Sequence, residues 1–197
     1  TINLSKINTV LYVGANIGQF SYTLKKLFPH LQIYSFEPNQ DIFPILKKNS
    51  EQANTNVYNY GFGSRTAKRK LYYAPSASAE GSFLKENLSQ NYQRTNVKNI
   101  SINVLRPTKA SLKKLKVPAK IDLVKIDVEG AETEVLKSLK DINFNYLYIE
   151  ISLKRKGENK PENIAKIINK IWGKKATLLL YYLPAKDSPA ANLLFSI

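Results

Sequence analysis

Three short segments concentrate the residue types that bind ligands or do acid–base chemistry. Gly14-Ala15-Asn16-Ile17-Gly18 follows the apolar run Thr9 to Val13, and small residues there let the chain turn tightly and let a ligand approach the backbone. The spacing is not that of a dinucleotide fingerprint. A G-x-G-x-x-G reading puts Asn16 and Gln19 at its second and third glycines, and no G-K-S/T phosphate loop occurs. Glu37 ends the next apolar run, about 20 residues after the turn, where a carboxylate can accept hydrogen bonds from both hydroxyls of a ribose. Equally, it can serve as an acid favoured at a helix N-terminus. In Lys125-Ile126-Asp127-Val128-Glu129-Gly130-Ala131-Glu132, two carboxylates alternate as a third apolar run closes. Alternation points Asp127 and Glu129 to one side while the chain stays extended, an arrangement suited to holding a cation or removing a proton. The plainer alternative is that Asp127 caps the turn while Glu129 and Glu132 meet a helix N-terminus.

These residues matter because of the elements expected to carry them. Strand-length apolar clusters alternate with amphipathic helical stretches, the pattern of βαβ units and a mostly parallel sheet. Strands are expected at Thr9 to Val13, Gln32 to Phe36, Val57 to Tyr60, Ile121 to Ile126 and Asn145 to Ile151. Thr177 to Tyr182 and Asn192 to Ile197 are expected to close the fold as an antiparallel pair. Helices are predicted over Gln19 to Phe28, with Phe20, Leu24, Leu27 and Phe28 in its apolar stripe, and over Gln40 to Gln52, capped by Asn39 with Ile42, Ile45 and Leu46 inward. Two more are predicted at Glu132 to Leu139 and Pro161 to Trp172. In such a sheet ligands bind beyond the carboxyl ends of the strands, where all three segments lie.

Between the third strand and Ile121 the pattern loosens and basic residues accumulate. Two short strands, Arg69 to Tyr73 and Ile100 to Leu105, are expected to flank a loop or lid over Ala74 to Asn99. Much of the formal net charge of +15, from 30 Lys and Arg against 15 Asp and Glu, resides there. Such an excess suits an anionic partner or substrate.

Composition closes off several classes. The chain has 197 residues, enough for a single domain spanning 1–197, and shows no internal repeat or linker. With no cysteine there is no disulfide framework, thiolate zinc site or cysteine nucleophile, and one histidine, His30, argues against a histidine-rich metal site or a Ser-His-Asp triad. His30 reads as a residue near a helix C-terminus. No metal is called for. No apolar run approaches the roughly 20 residues that cross a bilayer, and no signal-peptide core stands at the N-terminus, so a cytoplasmic location is expected. The chain begins at Thr1 without any methionine, so a removed upstream segment is expected.

Taken together, VLYVGANIGQFS, YSFEPNQDIFPILKKN and IDLVKIDVEGAETEVLKSL resemble the FkbM family of S-adenosylmethionine-dependent methyltransferases, with DVEGAE the most specific stretch and YIEIS and NLLFSI matching later strands. The resemblance implies a Rossmann-like class I methyltransferase fold. Its seven-stranded, mostly parallel sheet would have an antiparallel C-terminal strand and, here, a basic insertion after strand 3. It also implies S-adenosylmethionine as cofactor. Tyr12, Gly14, Ala15, Asn16 and Gly18 would lie beside the cofactor's amino acid portion, Glu37 and Pro38 at its ribose, Gly61 and Phe62 at its adenine, and Asp127 and Glu129 nearest the methyl and the acceptor. The implied reaction is O-methylation of a sugar, glycolipid or natural-product hydroxyl. One departure stands out: Tyr12 occupies the position where the family usually has an acid that helps hold the cofactor's ammonium group. Two alternatives follow. The basic segment with Tyr72, Tyr73, Phe83 and Tyr92 suits an RNA acceptor, though no standard RNA-binding signature is present, and Tyr12 suits a non-catalytic binding module on the same fold. A nicotinamide-linked oxidoreductase ranks last because the required glycines are missing.

Overall fold

Strands form where β-branched and aromatic residues run without polar interruption, and the most apolar runs become central. The computed structural model describes residues 4–75, 77–82, 96–152, 161–173, 176–182 and 190–197. In chain order the strands are β1 (Thr9–Val13), β2 (Gln32–Phe36), β3 (Asn56–Tyr58), β4 (Gly61–Phe62), β5 (Ala67–Ala74), β6 (Ala77–Ser82), β7 (Lys98–Leu105), β8 (Ile121–Ile126), β9 (Phe144–Ser152), β10 (Thr177–Tyr182) and β11 (Ala190–Ser196). The α-helices are α1 (Gln19–Leu27), α2 (Phe43–Ala53), α3 (Lys109–Lys114), α4 (Glu132–Ser138) and α5 (Pro161–Trp172). No described helix is long and apolar enough to cross a membrane.

A seven-stranded sheet has the order β10-β11-β9-β8-β1-β2-β3. All neighbours from β9 to β3 run parallel, while β11 is antiparallel to both β9 and β10. This is the seven-stranded, mostly parallel arrangement with an antiparallel C-terminal strand that the resemblance implies. The chain leaves β1 toward β2 and returns on its other side through β8, so the topological switch point lies between β1 and β8. Both strands are buried along their whole length. Their amino ends are tied by Asp122, whose Oδ2 accepts the backbone N–H groups of Asn8 and Thr9 at 2.8 and 3.1 Å, while Oδ1 accepts from the Asn145 side chain at 3.2 Å. Asp122 is buried. Replacing it with alanine strands those donors, and Asp122→Ala is expected to lower stability by about 1.5–3 kcal/mol in urea unfolding, with Asp122→Asn milder because one oxygen acceptor is retained.

A second sheet, ordered β4-β7-β5-β6, meets Pro38, just past the end of β2, at Gly61 and buries Leu71, Ile102 and Val104 in a small core of its own. It corrects the expected loop: β5 and β7 are longer than predicted, and Ala77–Ser82 is a strand antiparallel to β5. Residues 83–95 of that expected loop lie outside the described residues. Thr108 and Ser111 form a capping box after Pro107 and start α3, a helix the loosened pattern concealed.

Other boundaries moved for local reasons. Helix α2 begins at Phe43 rather than Gln40. Pro44 takes the first helical turn, and Asn39 makes a turn of its own, its Oδ1 accepting from the Asp41 N–H at 3.0 Å. Ile45 is 47% exposed and Leu27 is 67% exposed, so neither faces inward as expected. Strand β3 stops at Tyr58, since Asn59 turns its side-chain amide back to the carbonyls of Glu37 and Pro38. His30 Nε2 lies 2.9 Å from the Ile7 carbonyl just beyond α1, away from the switch point.

Candidate active site

Backbone bonds draw the ends of the central strands together. Gly14 and Ala15 donate to the Phe36 carbonyl at 2.9 and 3.0 Å, and Asp127 donates to Val13 at 2.9 Å. Gly14 and Gly18 take φ of +86° and +85°, and Asn16 takes +48°, so the turn runs largely through the left-handed region. A Cβ on Gly14 would stand 1.9 Å from the Asp127 carbonyl oxygen, which makes the close passage of these two loops dependent on glycine.

A cleft of about 530 Å³ opens here, on the carboxyl side of β1, β2 and β8. It gathers Tyr12, Gly14, Ala15, Asn16, Glu37, Pro38, Gly61, Phe62, Asp127 and Glu129, nearly every candidate named from sequence. Gly18 does not line it. A Cβ there would meet Leu46 at 2.7 Å, so Gly18 instead lets α1 settle against α2. Glu132 turns inward and accepts the Gly130 N–H at 3.1 Å. Among the described residues the lining holds four carboxylates, Glu37, Asp127, Glu129 and Glu150, and no Lys or Arg. The acidity is local, on a chain of net charge +15.

Glu37 is 8% exposed. Its Oε2 accepts the Asn16 N–H and its Oε1 the Asn39 N–H, both at 2.8 Å. Burial pushes its carboxyl up to about 7; the two N–H bonds oppose that rise and Asp127 adds to it. Two buried polar atoms beside it, Asn39 Nδ2 and Asn16 Oδ1, have no partner among the described residues. The orientation of Asn39 is set by the bond its oxygen accepts, so the atom left over is a donor. A carboxylate with lone pairs to spare, a lone amide donor and a lone acceptor form a set that fits a diol and a purine edge. Gly61 and Phe62 supply the neighbouring wall, where Gly61 keeps the chain against Pro38: a Cβ would sit 3.3 Å from the proline ring.

Tyr12 is buried against Phe20 and its hydroxyl donates to Asp127 Oδ2 at 3.1 Å. Burial, and then Asp127, hold its phenol well above the ordinary range, so Tyr12 acts as a donor. Lys125 donates to the same oxygen at 2.8 Å. Glu150 lines the same cleft and is not among the residues singled out from the sequence. It lies on β9, and its carboxyl is raised by burial and then by Asp127. Its only sequence signal was its place near the end of an apolar strand. Leu71 and Gly81, also missed, bring the second sheet to the cleft. That sheet is fastened to the site's elements by Tyr73, which donates to Asp41, and by an ion pair of Arg69 with Glu134. Of the aromatics that favoured an RNA acceptor, Tyr73 is thus buried and engaged, while Phe83 and Tyr92 lie outside the described residues.

The methyltransferase FkbM domain matches residues 13–176. The chain is 31% identical over 163 residues to the hexuronic acid methyltransferase AglP of Haloferax volcanii, covering 81% of this chain and 63% of that protein. It is 26% identical over 154 residues to Methyltransferase 1 of Beauveria bassiana, covering 70% and 61%. The chain therefore spans about three fifths of the length of these relatives. The fold is shared with the fibrillarin pre-rRNA processing protein of Methanococcus jannaschii (TM-score 0.61, 11% identity, 100% of this chain and 69% of that one). It is also shared with the magnesium protoporphyrin IX methyltransferase of Synechocystis with bound SAM (TM-score 0.56, 10% identity, 98% and 71%).

Proposed function

The chain belongs to the FkbM methyltransferase family, and from that premise we propose that it methylates a hydroxyl of a sugar, glycolipid or natural product, using S-adenosylmethionine. The observation that carries this reading is Glu37, a buried carboxylate held by two backbone N–H groups at the switch point, flanked by a lone amide donor and a lone acceptor. When bound, S-adenosylmethionine supplies an electrophilic methyl group. The chain's own task is to bind, orient and remove a proton. Glu37 accepts the ribose hydroxyls, Asn39 Nδ2 and the wall of Gly61 and Phe62 hold the base, and the Gly14 to Asn16 turn receives the amino acid portion. Asp127, tied down by Lys125 and Tyr12, holds the ammonium of that portion in place of the acid that Tyr12 displaces. Glu129, across the same turn, takes the acceptor's proton. A sugar acceptor is favoured by the likeness to a hexuronic acid methyltransferase.

Calorimetric titration with S-adenosylhomocysteine tests the reading. Hydroxyl donors require Glu37 ionised, and with its carboxyl near 7 the free site must lose a proton to bind at lower pH. Affinity is expected to fall about tenfold between about pH 8 and about pH 6. Glu37→Gln should flatten that dependence, and Glu37→Ala should weaken binding by about 1.5–3 kcal/mol. A folded chain that binds neither S-adenosylhomocysteine nor S-adenosylmethionine would overturn the proposal in favour of a non-catalytic module.

A further inference from the structure

A lysine on a buried strand must find an anion and a home for its ammonium, and the register of this sheet provides both. Lys125, 4% exposed, stands directly across from Tyr12 on β1 and from Tyr148 on β9. Directly opposed residues share a face, so the two tyrosines flank it, and Phe20 of α1 closes a third side. Its Nζ lies 5.2, 5.0 and 4.9 Å from the ring centroids of Tyr12, Tyr148 and Phe20, within cation–π range of all three. Asp127, two residues on, meets it at 2.8 Å through Oδ2, the oxygen that also accepts from Tyr12. Both side-chain donors to the Asp127 carboxylate, Tyr12 and Lys125, thus fall on Oδ2. Asp127 lines the cleft and Lys125 does not.

We propose that Lys125 is a positioning residue: boxed by three rings, it pins Asp127 by Oδ2, leaves Oδ1 to the cleft, and supplies the counter-charge that lets Asp127 and Glu150 share one wall. The groups that act on this wall are Tyr12 from β1, Glu37 after β2, Asp127 and Glu129 after β8, Tyr148 on β9, Asn192 on β11 and, through Tyr148, the exposed Tyr182 on β10. Burial, Asp127 and Glu129 lift the Glu150 carboxyl, whereas Lys125 and Asn192 hold it down. Glu150 therefore reports the charge on Lys125 without touching it. The inference rests on the methyltransferase reading only for its second readout.

The first readout is the Glu150 carboxyl titration, followed by carbon-13 NMR on the whole chain without ligand. Lys125→Met is expected to move the midpoint up by about one pH unit, and Asp127→Asn to move it down. The double variant, which buries no unpaired charge and so remains foldable even if Lys125→Met does not, should titrate above Asp127→Asn alone. No upward movement when Lys125→Met is added to either background would overturn the proposal. The second readout is S-adenosylhomocysteine affinity. Lys125→Met should weaken it about tenfold or more, and the double variant should be no weaker than Asp127→Asn, because Lys125 acts through Asp127. Unchanged affinity in a folded Lys125→Met, or losses that simply add, would overturn the positioning role. If the wild-type chain binds no S-adenosylhomocysteine, the methyltransferase reading falls while the titration still decides the role of Lys125.

Discussion

Gly14→Ala is expected to destabilise the protein by about 3–5 kcal/mol, near the upper end for a single substitution. Two costs combine. A φ of +86° disfavours any side chain by roughly 1–2 kcal/mol, and the added Cβ would overlap the Asp127 carbonyl, so the turns after β1 and β8 would have to separate. Gly173 isolates the first cost, since its φ is also positive, +56°, but nothing lies within 4 Å of its Cβ position. Gly173→Ala should therefore cost only about 1 kcal/mol. Urea midpoints of the two variants separate the terms: equal losses would show that the close passage carries no weight. A Gly14→Ala chain that folds should also bind S-adenosylhomocysteine poorly, because the two turns pushed apart carry Asn16, a partner of Glu37, on one side and Asp127 on the other.

Glu129→Gln is expected to slow methyl transfer about 10²- to 10⁴-fold, the range for losing a positioned general base, while changing S-adenosylhomocysteine affinity only about twofold. Asp127→Asn should instead lower both, since Asp127 is held between Lys125 and the cleft and is proposed to meet the cofactor. Turnover is read with whichever hydroxyl acceptor a panel of sugars, uronic acids and RNA reveals, and affinity by calorimetry on the same preparations. Full turnover in Glu129→Gln would remove it as the base and turn attention to Glu150, the remaining carboxylate of that wall.

Much of this site could be read in the sequence because strand-end residues of a parallel sheet converge by topology. Gly14, Glu37 and Asp127 each follow an apolar run, and the order of those runs brings them to one switch point. What escaped depends on which residues face each other. The box around Lys125 exists because Tyr12 and Tyr148 are its cross-strand partners, a register that no single strand announces. Tyr12 therefore looked like a lost acid, whereas the fold gives its ring to Lys125 and its hydroxyl to Asp127. In α2 the expected inward stripe holds at Ile42 and Leu46, but Ile45 stays 47% exposed, and Pro44 sets the start of the helix later than the apolar pattern suggests. Strand β6 was hidden because Ala, Ser and Gly carry no apolar alternation, and it forms by pairing with β5.

The contrast between an acidic cleft and a strongly basic chain also bears on the speed of capture. S-adenosylmethionine carries a net positive charge, so beyond about a Debye length, near 10 Å in dilute buffer, it meets a repelling field. On the proposed reading it then enters a cleft lined by four carboxylates and, among the described residues, by no Lys or Arg, with Lys125 set behind Asp127. Encounter is thus uphill at long range and downhill only over the final approach. Added salt flattens the outer barrier more than the sheltered inner well. On the same reading the spent cofactor, having lost its sulfonium charge with the methyl group, would lose part of that inner attraction, so the charge pattern that slows arrival would favour exchange of product for fresh donor.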